Sequence, residues 1–405
     1  GENYSDDVVA DTTLDGVAAI TYTSGTTKPG YPKGCIHSNR NYMAISRFKE
    51  SDVSGMPQMK NITALALLPS YTQTVLTTAY CDPIYLGCTV ALEPFYSEQF
   101  FAYSVKINQP NFVVNTPGFF IQLAKKLENE PEWKSIDMPY LLLPIIVGEP
   151  ISAGEERYLN RVAKKHKFGK TLLPALLSAP VSTGGGSTEN GGIFTTLFCA
   201  WQGLKPKYRL HGERPYLQTL PLAEVEVLDE NGNSCAYGEQ GRLVINSPCN
   251  QIGYVNDEFN KDMQITDANG KLWYSGGAYA VKYKSGDIRI VGRPNTNIVT
   301  SDGKSTPLYV IEDIVNKDYK NIMSAVMVKI PDGDSTKYVC HIEKQPDAKF
   351  SDDILLRRCV KRLSKSIHPE ILDNLYFKIR DDFPLAPSGK RDMAKLVAEG
   401  VDGTV

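Results

Sequence analysis

The chain has 405 residues, 42% of them apolar and 22% charged, an ordinary balance for a soluble globular protein with two or three domains and a sizeable core. Its net charge of −2, with acids and bases interspersed, leaves no electrostatic footprint for nucleic acid. The longest apolar runs, such as "YLLLPIIVG" at 140–148, fall far short of a membrane span. The polar, acidic opening residues do not read as a signal peptide. The cysteines at 35, 81, 88, 199, 235, 249, 340 and 359 form no Cys-x-x-Cys pair, and reduced thiols in a cytoplasmic protein are expected. His37, His166, His211, His341 and His368 are scattered without the spacing of a structural metal site.

In chain order, "GVAAITYTS" at 16–24 predicts a buried strand running into a loop rich in glycine, serine and threonine. Short apolar strands are expected at 60–70, 88–95 and 110–117, separated by helical stretches such as "SEQFFAYSVKIN" and "GFFIQLAKKLENE". Strand alternating with helix implies a doubly wound α/β fold with a parallel sheet. From residue 223 the texture changes to β-hairpins: "AEVEVLDENGNSCAYGEQGRLVINS" alternates around "ENGN", and "VKYKSGDIRIVG" repeats the pattern around a Ser-Gly turn. After "GRPN" at 292–295 comes a small α+β unit: a helix in "TPLYVIEDIVN", two strands, and a strong helix over 351–366. That helix has Ser351 at its start, acids in its first turn and bases later, which suits an N-cap and the helix dipole. A boundary near Pro294 divides the chain into a large domain, 1–293, and a small C-terminal domain, 294–405.

"TYTSGTTKPGYPKG" at 21–34 has the composition of an anion cradle. Glycines let backbone N–H groups turn toward a phosphate, hydroxyls donate to its oxygens, and a lysine adds charge. It is not a Walker A loop, and neither "GKT" at 169–171 nor "GKS" at 303–305 has the upstream glycine that pattern requires. Alone, such a stretch would more often be a solvated turn.

The stretch resembles the phosphate-binding loop of the AMP-forming adenylating enzymes: acyl-CoA synthetases, peptide-synthetase adenylation domains and luciferases. Further landmarks follow in the family's order. "GGGSTENGG" at 184–192 resembles its Gly-Tyr-Gly-x-Thr-Glu stretch, "GEQGRLVI" and "GY" at 253–254 its approach to the nucleotide-binding hairpin, "IVGR" its ribose contact, and "PLAPSGKRD" at 384–392 its C-terminal lysine motif. The resemblance covers essentially the whole chain. It implies doubly wound mixed sheets, a β-hairpin region and a small mobile α+β lid. It also implies ATP, Mg²⁺ and coenzyme A as co-substrate, a small carboxylate substrate, and a carrier protein as a possible partner. Thr23, Ser24, Gly25, Thr26, Thr27 and Lys33 would then bind phosphate, with Gly186 and Ser187 beside them. Thr188 would touch the α-phosphate, Glu189 would hold Mg²⁺, Arg293 would contact the ribose, and Lys390 would be the adenylation lysine. The implied activity is conversion of an acid to acyl-AMP and its transfer to a thiol, coenzyme A foremost. The alternative is a catalytically weak relative that binds nucleotide or acyl ligand without turnover.

Several features depart from the family pattern. The loop arrives about twenty residues into the chain where the family has a substantial preceding segment, so a truncated or processed chain is expected. Gly185 stands where an aromatic residue would stack on adenine. The aspartate that clamps the ribose has two candidate positions. "YKSGD" has the letters and supplies Asp287; "WYSGGA" has the spacing from Arg293 and puts Ala278 there, and the spacing is favoured because "SGD" also serves as a hairpin turn. On that register Asp287 should face water at the hairpin tip. "LPSYTQT" at 68–74 lacks the acid that holds an α-amino group, which implies a non-amino carboxylate, and the three glycines at 184–186 suggest a bulky or elongated acyl group. Asn295 occupies the position of the family's hinge.

Overall fold

The computed structural model describes residues 12–23, 32–53, 62–67, 72–93, 97–169, 181–195, 217–220, 223–261, 263–292, 297–332 and 335–404. The chain opens on an antiparallel pair, β1 (Val17–Tyr22) and β2 (Gly34–Ser38), leading into α1 (Asn39–Val53). Ser38 and Asn41 satisfy each other's N–H groups at that junction, which starts the helix where the strand stops. The expected burial of β1 is corrected here. Val17, Ile20 and Tyr22 are 59%, 48% and 53% exposed, and Thr21 is the strand's one buried residue. β1 is the edge of a sheet of only three strands, so few side chains stack over it.

The main sheet follows. β3 (Thr63–Ala66) leads to α2 (Gln73–Val75), which continues through a π-wound stretch at Leu76–Cys81 into α3 (Asp82–Leu86). Then come β4 (Thr89–Leu92), α4 (Glu98–Asn108), β5 (Phe112–Asn115), α5 (Pro117–Asn129), β6 (Leu143–Ile146), α6 (Ala153–Lys165), β7 (Ser182–Ser187), β8 (Gly191–Thr195) and β9 (Gln218–Thr219). The spatial order is β4-β3-β5-β6-β7-β8-β9, parallel from β4 to β7 and antiparallel beyond. Parallel neighbours need crossovers, and α4, α5 and α6 supply them while burying Phe101, Phe119, Phe120, Leu127 and Tyr158 in one core. Phe101 meets Phe119 and Phe120 edge-on at centroid distances of 5.4 and 5.5 Å. A capping box between Ser152 and Glu155 starts α6.

The hairpin region forms a six-stranded antiparallel sheet from β10 (Glu224–Leu228), β11 (Gln240–Asn246), β13 (Gln264–Thr266), β14 (Leu272–Tyr274), β15 (Tyr279–Lys282) and β16 (Ile288–Gly292). Between β11 and β13, β12 (Gly253–Tyr254) pairs instead with β2 and completes the first sheet. The Ser-Gly stretch at 285–286 is the turn joining β15 to β16.

The remaining elements are β17 (Asn297–Val299), β18 (Ser305–Pro307), α7 (Leu308–Asn316), β19 (Ile322–Asp332), β20 (Ser335–Lys344), α8 (Asp352–Leu363), α9 (Pro369–Asp373), β21 (Leu375–Arg380) and α10 (Met393–Ala398). β20 lies antiparallel to β19 and parallel to β21. Ile311, Val315, Ile342, Leu355, Cys359 and Leu363 form a core of their own. α8 ends at Leu363, short of the expected 366, and the Ser351 side chain accepts no capping bond. Met323 of β19, however, belongs to the core of the main sheet, so this unit is seated directly on the first. The boundary near Pro294 lies outside the described residues.

Candidate active site

The β7–β8 connection is a tight turn. The Ser187 N–H donates to the Asn190 side-chain oxygen at 2.9 Å and the Asn190 N–H to the Ser187 carbonyl at 3.3 Å, leaving Thr188 and Glu189 at its tip. Gly186 pairs with Gly192 across the same strands. Glu189 is buried and accepts a hydrogen bond from the Tyr254 hydroxyl at 3.0 Å. Tyr254 and Tyr274 oppose each other at 3.4 Å, and Gln251 donates to Tyr274 at 3.0 Å. Burial, reinforced by the nearby Glu189 charge, pushes both phenols up, so they stay protonated. The Ser187 hydroxyl is buried with no hydrogen-bond partner among the described residues.

Lys33 approaches the same tyrosine from the other side. Its N–H donates to the Thr23 hydroxyl at 3.0 Å and its carbonyl accepts from the Thr23 N–H at 2.9 Å, which draws the ends of the loop together. The Lys33 ammonium lies 5.0 Å from the Tyr254 ring centroid and 4.7 Å from that of Phe259. Tyr254 thus presents its ring to the loop lysine and its hydroxyl to Glu189. Ser24, Gly25, Thr26 and Thr27 lie outside the described residues, as do Arg293 and Asn295.

The two ribose-clamp candidates occupy opposite ends of one hairpin. Tyr279 pairs with Gly292, so Ala278 and Gly292 share one end, while Asp287 follows the turn at the other. A side-chain atom added at Gly276 would come 4.0 Å from the Ser187 hydroxyl, which brings "WYSGGA" beside the β7–β8 turn. Ala278 itself is half-buried against the apolar cluster around Ile45 and Leu243. Asp287 is corrected: it does not face water. It is 6% exposed, and its carboxylate accepts from Ser285 at 2.5 Å and from Gln218 at 3.4 Å. The cause is a neighbouring segment, since Leu217 bridges to Ile288 and lays β9 along the tip.

Lys390 arrives from the C-terminal unit. Its loop closes through bonds from Ala386 N–H to the Lys390 carbonyl and from Gly389 N–H to the Ala386 carbonyl, both 2.8 Å. Gly389 has φ +75°, and a side chain there would strike Phe119 at 2.2 Å. The Thr116 hydroxyl donates to the Gly389 carbonyl at 2.5 Å, and a side-chain atom built on Gly148 would lie 3.2 Å from Lys390 Cε. Thr116 follows β5, Gly148 follows β6, and the Ser187–Glu189 turn follows β7 of the same sheet. These are the carboxyl ends of parallel strands, where open α/β sheets form their ligand crevice.

Sequence reasoning assigned no role to Tyr254, Tyr274, Gln251 or Thr116. "GY" at 253–254 and "WYSGGA", which holds Tyr274, stood out only as landmarks, and nothing local marks Gln251 or Thr116. His37, buried on β2, is pulled down to about 4 by burial and is neutral near pH 7. Among the described residues no cluster of three or more His, Cys, Asp or Glu could hold a metal, and Glu189 is the carboxylate of the β7–β8 turn. That suits Mg²⁺, which is commonly held by one or two carboxylates together with substrate phosphates.

A D-alanine–D-alanyl carrier protein ligase of Lactiplantibacillus plantarum is 25% identical over 387 residues, covering 94% of this chain and 70% of the ligase. A long-chain-fatty-acid–CoA ligase of Salmonella typhimurium is 28% identical over 171 residues, 42% of this chain and 28% of that enzyme. Among solved structures, the amide bond synthetase McbA of Marinactinospora thermotolerans superposes with a TM-score of 0.70 at 18% identity, over 95% of this chain and 69% of McbA. An ATP-bound RpMatB-BxBclM chimera gives a TM-score of 0.71 at 18% identity, over 96% and 69% of the two chains. The mixed α/β architecture is the one these adenylating enzymes share. The AMP-binding enzyme model matches residues 2–255, more than half of the sequence, and the chain belongs to that family.

Proposed function

We propose that this protein activates a carboxylic acid with ATP as an acyl-adenylate and passes the acyl group to a thiol. The observation that carries this reading is the seating of the Lys390 loop on Thr116 and beside Gly148, at the strand ends from which the Thr188–Glu189 turn also projects. Attack of a carboxylate on the α-phosphate brings two anions together and builds charge on phosphorus. A lysine held in place beforehand stabilises that charge without reorganising. Lys390 would donate to the α-phosphate and the attacking carboxylate, Thr188 to the α-phosphate, and Thr23 to Thr27 with Lys33 to the outer phosphates. Gly186 and Ser187 would line the nucleotide, and Arg293 would contact its ribose. Mg²⁺, held by Glu189, would neutralise phosphate charge. Residues 294–405 would act as a lid that moves about Asn295 between adenylation and thiol transfer.

For the acceptor, coenzyme A and a carrier-protein thiol are both in view. Relatives aligned over more than nine-tenths of the chain are named for either thiol, a carrier protein at 94% and CoA at 92%. The expected acid is a non-amino carboxylate, with D-alanine as the counter-candidate from the carrier-protein ligase's name. The seven cysteines among the described residues are all free thiols, which suits a cytoplasmic setting, and none of those residues belongs to a helix long and apolar enough to cross a membrane.

ATP–pyrophosphate exchange across a panel of fatty, aromatic and dicarboxylic acids and D-alanine tests the reading. Exchange with one class is expected; exchange with none overturns it and leaves a nucleotide-binding relative without turnover. Ala278 is the observation favouring that second reading, because it puts a methyl group rather than a carboxylate next to the Tyr279–Gly292 pair. Ala278→Asp should tighten ATP binding on the order of a hundredfold by calorimetry, two charge-assisted hydrogen bonds being gained. Asp287→Ala should leave ATP binding nearly unchanged.

A further inference from the structure

We infer that Arg391 positions Lys390, through a buried ion pair with Glu155 that joins the C-terminal unit to the main sheet; this rests on the adenylation role of Lys390 proposed above. The Arg391 side chain is 11% exposed and that of Glu155 is 1% exposed, and the guanidinium donates directly to the carboxylate. The same guanidinium donates to the Ser324 hydroxyl of β19 at 3.1 Å. The Arg391 N–H is accepted by the Glu149 carboxylate, the nearer oxygen at 3.2 Å. Glu149 directly follows Gly148, so the chain on both sides of the Lys390 amine is tied to one point.

Glu155 is itself fixed. Its second oxygen accepts the Ser152 N–H at 2.7 Å, completing the capping box of α6. The carboxylate therefore spends one oxygen on its own helix and the other on the lysine loop. A planar guanidinium with several donors can hold Glu155 and Ser324 together, whereas a lysine at 391 could serve them only as a point charge. With one partner deleted, the other is left as a buried, uncompensated charge, and the loop has reason to leave. An ammonium displaced by an ångström is a poor electrostatic catalyst even when it is still present.

Arg391→Met, Arg391→Lys and Glu155→Gln test this with two readouts. In ATP–pyrophosphate exchange, Arg391→Met should lower kcat roughly a hundredfold while KM for ATP stays within about threefold, and Arg391→Lys should recover part of the loss. In nucleotide-free protein, mass spectrometry should find Lys390 acetylated by a succinimidyl ester roughly tenfold faster in Arg391→Met and Glu155→Gln than in the unmodified chain. Should Arg391→Met fail to fold, Glu155→Gln, which keeps the side chain's size and one acceptor oxygen but loses the charge and the second acceptor, carries both measurements. Unchanged Lys390 reactivity in the folded variants overturns the inference, as does a loss confined to KM. If the unmodified chain exchanges with no acid, the proposed function fails, and the acetylation rates still decide whether Arg391 holds the loop.

Discussion

The two sheets that carry the candidate lysines are built in opposite ways. The sheet of β1, β2 and β12 leaves Val17, Ile20 and Tyr22 in solvent, and its Lys33 rests on the faces of Tyr254 and Phe259. The sheet of β19, β20 and β21 is buried along β19 from Ile322 to Val328, sends Met323 into the main core, and stands beside a lysine loop pinned by Thr116, Glu149 and Glu155. A cation over aromatic rings can shift at little cost, while a loop fixed by buried polar partners has one place to be. The first arrangement suits a group that must follow a flexible polyphosphate; the second suits one that must meet a reacting atom.

The sharpest test of that contrast is to delete each lysine. Lys390→Ala should lower exchange by roughly 10²–10³ in kcat, the scale of a lost transition-state donor. Lys33→Ala should cost about tenfold and appear mainly in KM for ATP. Equal losses of the same kind would break the comparison.

Next in size is the contact between α6 and β19. A side chain at Gly154 would lie 2.2 Å from the Ile322 carbonyl and 2.4 Å from that of Met323, and Gln345 donates to the Gly154 carbonyl at 2.8 Å. Gly154→Val should cost about 3 kcal/mol in thermal unfolding because backbone rather than a yielding side chain must move. An unchanged melting profile would mean that helix and strand do not meet.

Proton binding should distinguish the regions by sign. Burial raises Glu343 from 4.5 to about 7 against the pull of Lys125, with Glu155 and Asp382 adding to the rise. The folded chain then holds that proton more tightly than the unfolded one, so Glu343 costs stability increasingly as pH climbs from 4.5 to 7. In denaturant melts the advantage of Glu343→Gln over the unmodified chain should therefore grow across that interval. His37, on β2 of the small sheet, runs the other way. Held down near 4 by burial, it stays neutral while the unfolded chain takes up a proton, so it costs stability as pH falls from 6.5 to 4. Its ring should titrate near 4 by NMR.

The smallest expected effect lies on β1, where Val17→Ser and Ile20→Ser should each change stability by no more than about 0.5 kcal/mol, as measured by denaturant melts. A loss above about 2 kcal/mol would show that the strand is covered in solution.

What the sequence determined by itself was whatever depends on neighbours along the chain. Alternating strands and helices announced the parallel sheet, and "YKSGD" was legible as a hairpin turn. Tertiary structure alone decided which distant groups meet. Tyr254 reaches Glu189 across 65 residues, and Arg391 reaches Glu155 across 236. Asp287 looked like a solvated tip residue until β9 lay beside it, and β1 looked like a core strand until it proved to be an edge. Burial and charge pairing belong to the assembled surfaces, and an apolar strand or a lone arginine has the same local chemistry whichever surface it joins.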